Sequence, residues 1–227
     1  MSAQIVEVKL LVRPTVGERA RCLDVFTEAF KDASPRWDEK PSKNERSTSA
    51  CCTLDPLHLR HCGTDLSMHQ RFHLSKLEAA FIDCQVWVAM VYGEIGCVAT
   101  VAQPGKKLWD TEEKKVFQQR AFEPLNEEVK SWMNNTFGPL QAKSGTSIPG
   151  GAVASYYVQG IATHPSFQRQ GLASAILKKL EGLAKEDNTC VALITVSPNA
   201  FFWLGEIPSH RFCTIALLNL HWSFNGM

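Results

Sequence analysis

The stretch from Tyr156 to Val196 constrains the fold of this chain more than any other. It reads as an apolar strand (YYVQGIAT), a stop at His164-Pro165, a short loop (QRQGLA), an amphipathic helix and a second apolar strand (CVALITV). Leu172, Ile176, Leu177, Leu180, Leu183 and Ala184 recur on one face of the helix. Lys178, Lys179, Glu181 and Lys185 lie outside. Asp187-Asn188 breaks the helix. A strand, helix and strand of this length make a βαβ unit, and its two strands run parallel.

Elements upstream fit the same kind of sheet. Ile5 to Val12 predicts a strand stopped by Arg13-Pro14. Thr15 is placed to cap a helix over Gly17 to Phe30, with Glu18 three residues on as its capping-box partner. A second helix is expected over Asp65 to Ile82. Val86 to Val91 and Ile95 to Val101 form a hairpin whose turn contains Gly93, a residue that tolerates the positive φ of tight turns. Trp109 to Trp132 is a charged helical stretch that Pro124 splits or kinks. Its run Glu112 to Lys115 reads as a solvated face. Trp109 and Trp132 either pack this stretch on the body or line an acceptor pocket. Residues 36–64 and 138–151 read as loop excursions, the second without core residues.

Composition sets outer limits. The chain has 227 residues, 44% hydrophobic and 21% charged, which fits one domain with a sizeable core. A net charge of +1 gives no global drive toward nucleic acid or an anionic membrane. No stretch is long and apolar enough to span a bilayer, and no secretory leader is legible. Cys97 and Cys190 sit in apolar runs and read as small buried hydrophobes. A cytoplasmic setting with free thiols is the expectation. Cys51, Cys52, His58, His61 and Cys62 match no common zinc spacing, so no metal is expected.

The chemistry-bearing segment is the junction from Thr163 to Ser174. A loop with Gly171, and small Ala173, opens directly into a helix, whose first amides lack intrahelical partners and favour anions. Gly171 permits close approach of backbone amides. Ser174 adds a hydroxyl and Arg169 a charge that can fork onto phosphate. The physical reading is a pyrophosphate cradle.

Here the sequence resembles the GNAT superfamily of N-acetyltransferases. The family's loop reads Gln/Arg-x-x-Gly-x-Gly/Ala, and this chain has Gln168-Arg169-Gln170-Gly171-Leu172-Ala173. Gly160 to Pro165 looks like the family's motif strand end, and the hairpin before Pro104-Gly105 resembles that of fungal members with an insert before that strand. The resemblance implies an α/β fold: a central mixed sheet with helices on both faces, one domain over 1–227, and a divergent tail over 206–227. It implies that the strand around Gln159–Thr163 splays from its neighbour, and that Ile161, Ala162 and Thr163 meet the pantetheine arm of acetyl-CoA through main-chain atoms, like an added strand. It further implies that Gln168, Arg169, Gln170, Gly171, Leu172, Ala173 and Ser174 hold the pyrophosphate. Asn199 stands where the family often has a cofactor contact, and Phe202 of the following aromatic run is grouped with it.

The family's phenolic acid is missing, because Phe201-Phe202-Trp203 follows Asn199. Candidates for proton handling are Tyr157, Gln159 and His164, with Glu94 nearby, or a water chain to a distant carboxylate. The expected reaction is acetyl transfer from acetyl-CoA to a primary amine of a small molecule, by direct attack in a ternary complex. A protein N-terminus or lysine is the second acceptor class, and a non-catalytic acyl-CoA-binding or regulatory module is the rival. Neither nucleic acid nor membrane is an expected partner, and the chain is expected to be a monomer or homodimer.

Overall fold

The computed structural model describes residues 5–31, 66–195 and 212–216. Its centre is a six-stranded sheet in the order β1-β2-β3-β4-β5-β6. β1 (Val6–Leu10), β2 (Gln85–Val91), β3 (Glu94–Ala102) and β4 (Tyr156–Thr163) pair antiparallel in sequence. β5 (Val191–Thr195) joins β4 in parallel register, and β6 (Phe212–Ala216) joins β5 the same way. The parallel β4–β5 pair is the expected βαβ unit, crossed by α6 (Leu172–Glu186). β6 shows that part of the divergent 206–227 tail extends the sheet.

Helices cover both faces. On one, Leu172, Ile176, Leu177 and Leu180 of α6 pack on Trp87, Ala89, Cys97, Ala99, Val158 and Ile161. Each such buried aliphatic side chain stabilises the fold by roughly 1.5–3 kcal/mol. On the other, α1 (Val16–Phe30) and α2 (Leu66–Asp83) place Val25, Phe26, Phe30, Leu77 and Ala80 on Val86, Val88, Val98 and Ala162. The capping box forms: Glu18 N–H donates to Thr15 Oγ1 at 3.2 Å, and Thr15 N–H donates to Glu18 Oε2 at 2.8 Å. The β2–β3 turn takes positive φ at both Tyr92 (51°) and Gly93 (80°), the twist a two-residue hairpin demands.

Between β3 and β4 lies a helical insert. It splits near Pro124 into α3 (Glu112–Phe122) and α4 (Glu127–Trp132), and a π-helical turn (Met133–Phe137) leads into α5 (Gly138–Gly145). Two sequence expectations are corrected here. The segment over 138–151 is not a coreless loop: Gly138–Gly145 is helical, and Ile148 is 2% exposed against Cys190 and Ala192. An isolated Ile in a Gly/Pro/Ser-rich stretch carries no period that reveals such burial. Nor is Glu112 to Lys115 uniformly solvated. Lys115 pairs with Glu112 on the surface, but the Lys114 side chain is fully buried, its ammonium bridging Asp83 (2.7 Å) and Asp110 and donating to the Lys107 carbonyl (2.8 Å). Burial opposes the charge on Lys114, but Asp110 and Asp83 outweigh it and hold its pKa above the ordinary lysine value. This ion cluster pins α3 to the end of α2 beside β2. At the neck of the insert, Gly105 N–H donates to the Val153 carbonyl at 2.8 Å. Trp109 packs with the α1–α2 core, and Trp132 is buried and stacked on Phe137.

Gly96 decides how closely α6 approaches the sheet. A Cβ there would lie 2.6 Å from Leu172 Cδ2 and 2.7 Å from Phe167 Cγ. Gly96→Val should therefore destabilise the fold by about 1–3 kcal/mol through overpacking, read from the midpoint of denaturant unfolding. Gly182→Ala, in open space on α6, should stabilise by about 0.5–1 kcal/mol in the same experiment.

Candidate active site

The site grows from the last residues of β4. Its register with β3 runs Val158↔Val101 and then Gly160↔Thr100, so Gln159 is an extra residue, a β-bulge. Its ladder with β5 ends at the same place: Val158↔Leu193 is the last pair, although β4 continues to Thr163 and β5 to Thr195. β5 meanwhile stays paired with β6 to Thr195↔Ala216. The two parallel strands thus part just after Val158.

The bulge is held from the α1–α2 face. Phe26 packs over Gly160, where a Cβ would lie 3.4 Å from its ring. The buried Thr100 hydroxyl donates to the Gly160 carbonyl at 3.5 Å. Lys76 Nζ sits 3.4 Å from the Gln159 carbonyl and 4.3 Å from the centre of the Phe72 ring.

Beyond Thr163 the chain turns through a 3-10 segment, Pro165–Phe167, into α6. His164 N–H donates to the Gly96 carbonyl, and His164 Nδ1 accepts the Ser166 N–H at 3.2 Å. Gln168 uses its main-chain N–H on Pro165 and its side chain on the Thr163 carbonyl at 3.2 Å. Arg169 (φ 62°) and Gly171 (φ 79°) both take left-handed backbone, the conformation from which concave amide nests are made. Gly171 is the N-cap of α6, and a Cβ on it would meet no described residue within 4 Å. Among the described residues, the helix start is therefore uncovered, at the same end of β4 where β5 departs.

Residues 105–201 match the model of the acetyltransferase (GNAT) family. That stretch, under half of the chain, is similar to the acetyltransferase (GNAT) family. The matched stretch spans the insert, β4, the loop, α6 and β5. Among solved structures, the chain is similar to a candidate acetyltransferase from Pyrococcus horikoshii, at 12% identity and TM-score 0.42, over 89% of this chain and 88% of that one. It is also similar to a mutant agmatine N-acetyltransferase in its apo form, at 11% identity and TM-score 0.42, over 89% and 81%. No curated protein matches the chain.

Within the matched stretch, Ile161, Ala162 and Thr163 lie on the diverging end of β4 with buried side chains, so main-chain atoms are what they can present. Leu172 and Ala173 are likewise core residues of α6, and only their backbone faces the loop. Arg169, Gln170 and Gly171 are exposed, and Ser174 is half-buried. Asn199 and Phe202 lie outside the described residues, as does the Cys51–Cys62 cluster. Among the described residues, no group of three or more His, Cys, Asp or Glu is placed to hold a metal, and no helix is long and apolar enough to cross a membrane.

The proton-handling candidates occupy three different settings. Gln159 is the bulge residue. Tyr157 is half-buried against Ile148, Cys190 and Ala192, and burial pushes its phenol up to about 12. It is protonated at neutral pH and can donate but not accept a proton. His164 has Nδ1 engaged as an acceptor, which places the proton of the neutral ring on Nε2. Sequence reasoning missed Gly96, Phe26, Thr100 and Lys76. Gly96 carries a signal, since glycine inside a strand often marks close approach of another element.

A phenol whose folded pKa is raised stabilises the fold fully below its unfolded pKa, and that contribution is lost as pH rises through the folded value. Tyr157→Phe should therefore flatten the fall in unfolding free energy between about pH 10 and about 12, measured by urea unfolding across that window.

Proposed function

We propose that this chain transfers an acetyl group from acetyl-CoA to a primary amine of a small molecule, by direct attack in a ternary complex. The observation that carries the reading is the end of the β4–β5 ladder at Val158↔Leu193 beside the glycine-capped start of α6. A bare strand edge and a helix N-terminus are the two features an extended arm with a pyrophosphate needs.

The residues fit that ligand. Main-chain groups of Ile161 and Thr163 would extend the sheet onto the pantetheine arm. The amides leading into α6 would hold the pyrophosphate, with Gly171 leaving room and Arg169 adding charge. Acetyl-CoA supplies an acyl group already activated as a thioester. A main-chain amide of diverging β4 would polarise the thioester carbonyl, a preorganised donor that needs no side chain. Tyr157, kept protonated by burial one residue ahead of the last β4–β5 pair, would hold a proton for the departing thiolate. His164 would shape the loop through its bond to Ser166 rather than accept the amine's proton, which then leaves through water.

Calorimetry tests the cradle. The wild type should bind acetyl-CoA with a micromolar Kd, and Gly171→Glu, which adds bulk and negative charge at a left-handed position, should abolish binding while the protein stays folded. Thiol release with a panel of small amines then separates an enzyme from a module that binds without turnover, and peptide acceptors test the protein-acetylating alternative. No binding by folded wild type overturns the reading.

A further inference from the structure

We infer that Lys76 is a positioning residue for acyl transfer, acting through the peptide bond between Gln159 and Gly160; this rests on the function proposed above. Lys76 lies on α2 and reaches β4 at Gln159. That residue interrupts one ladder of β4 and follows the end of the other: it is the bulge against β3, whose pairing resumes at Gly160, and the first residue past the last pair with β5. A ladder carbonyl is fixed by its neighbouring strand, but a bulge removes that restraint. Here the ammonium at 3.4 Å supplies it, itself held over the Phe72 ring.

Two consequences follow from peptide geometry. A trans peptide directs its N–H opposite to its C=O. Turning the Gln159 carbonyl toward α2 therefore turns the Gly160 N–H away from α2. A cation at the carbonyl oxygen also draws electron density through the conjugated amide, so that N–H becomes a stronger donor. Lys76 thereby aims and sharpens the donor set on diverging β4 without touching the substrate. The phosphate cradle at Gly171 is built by other residues, so removing Lys76 acts on the acyl end and not on the nucleotide end.

The test uses the full chain with carbonyl-labelled acetyl-CoA. Infrared difference spectra of the bound thioester carbonyl should show a shift to lower frequency in wild type, most of it lost in Lys76→Met and regained in Lys76→Arg. The acetyl-CoA Kd should stay within about threefold throughout. With an amine acceptor, kcat should fall about tenfold in Lys76→Met with KM for acetyl-CoA little changed, the size of one charge-assisted hydrogen bond. An unchanged carbonyl frequency and kcat in Lys76→Met overturn the inference and leave the proposed function intact. Loss of acetyl-CoA binding that Lys76→Arg does not restore also overturns it, because Lys76 would then support the fold. Absence of acetyl-CoA binding in wild type overturns both.

Discussion

One extra residue in one strand organises this molecule. A regular sheet offers no place for an extended ligand, because every interior strand has both edges paired. By inserting Gln159 between the partners of Val101 and Thr100, β4 changes its phase relative to β3 and loses β5 at the same point. The sheet survives the interruption because it is held on either side: β1 to β3 form an antiparallel block, whose own register shift at Gly96 lies toward the hairpin turn, and β5 is retained by β6. The opening is therefore a local departure within a supported sheet rather than a frayed edge.

The second requirement is that a helix begin beside that opening, and its position is set by small residues. Gly96 lets Leu172 and Phe167 approach β3, and the same segment of β3 accepts the His164 N–H that ends β4. The loop is then tied internally by Ser166 on His164 and Gln168 on Thr163. Its geometry is fixed before any ligand arrives. Arg169 and Gly171 are left as the exposed left-handed positions.

The βαβ unit, the capping box, the hairpin and the loop were legible because each depends on contacts close in sequence. Periodicity located α6, and turn chemistry located Gly93 and Gly171. The bulge was not legible. YYVQGIAT carries no mark saying which residue is extra, since that is decided by the register with a strand some sixty positions earlier, as Thr100↔Gly160 records. The role of Lys76 depends likewise on a contact between distant segments. Lys114 looked like surface because a charged residue in a polar run is usually solvated, and its burial follows only once Asp83 and Asp110 are brought around it. Ile148 was hidden for the same reason.

The hydrogen bond between Gly105 and Val153 has a consequence for how this fold can vary. It brings the two ends of the helical insert together directly beside the sheet, so the excursion begins and finishes at one point. Lengthening or shortening what lies between alters loop-closure entropy only logarithmically, about 0.6 kcal/mol for each doubling. Changes that keep Ile148 on Tyr157, Cys190 and Ala192 leave the packing of β4 and β5 in place. The insert is thus a cassette. A chain with this neck can exchange the helices above it for others, and so remodel what borders α2, while the bulge and the glycine-capped helix remain as they are.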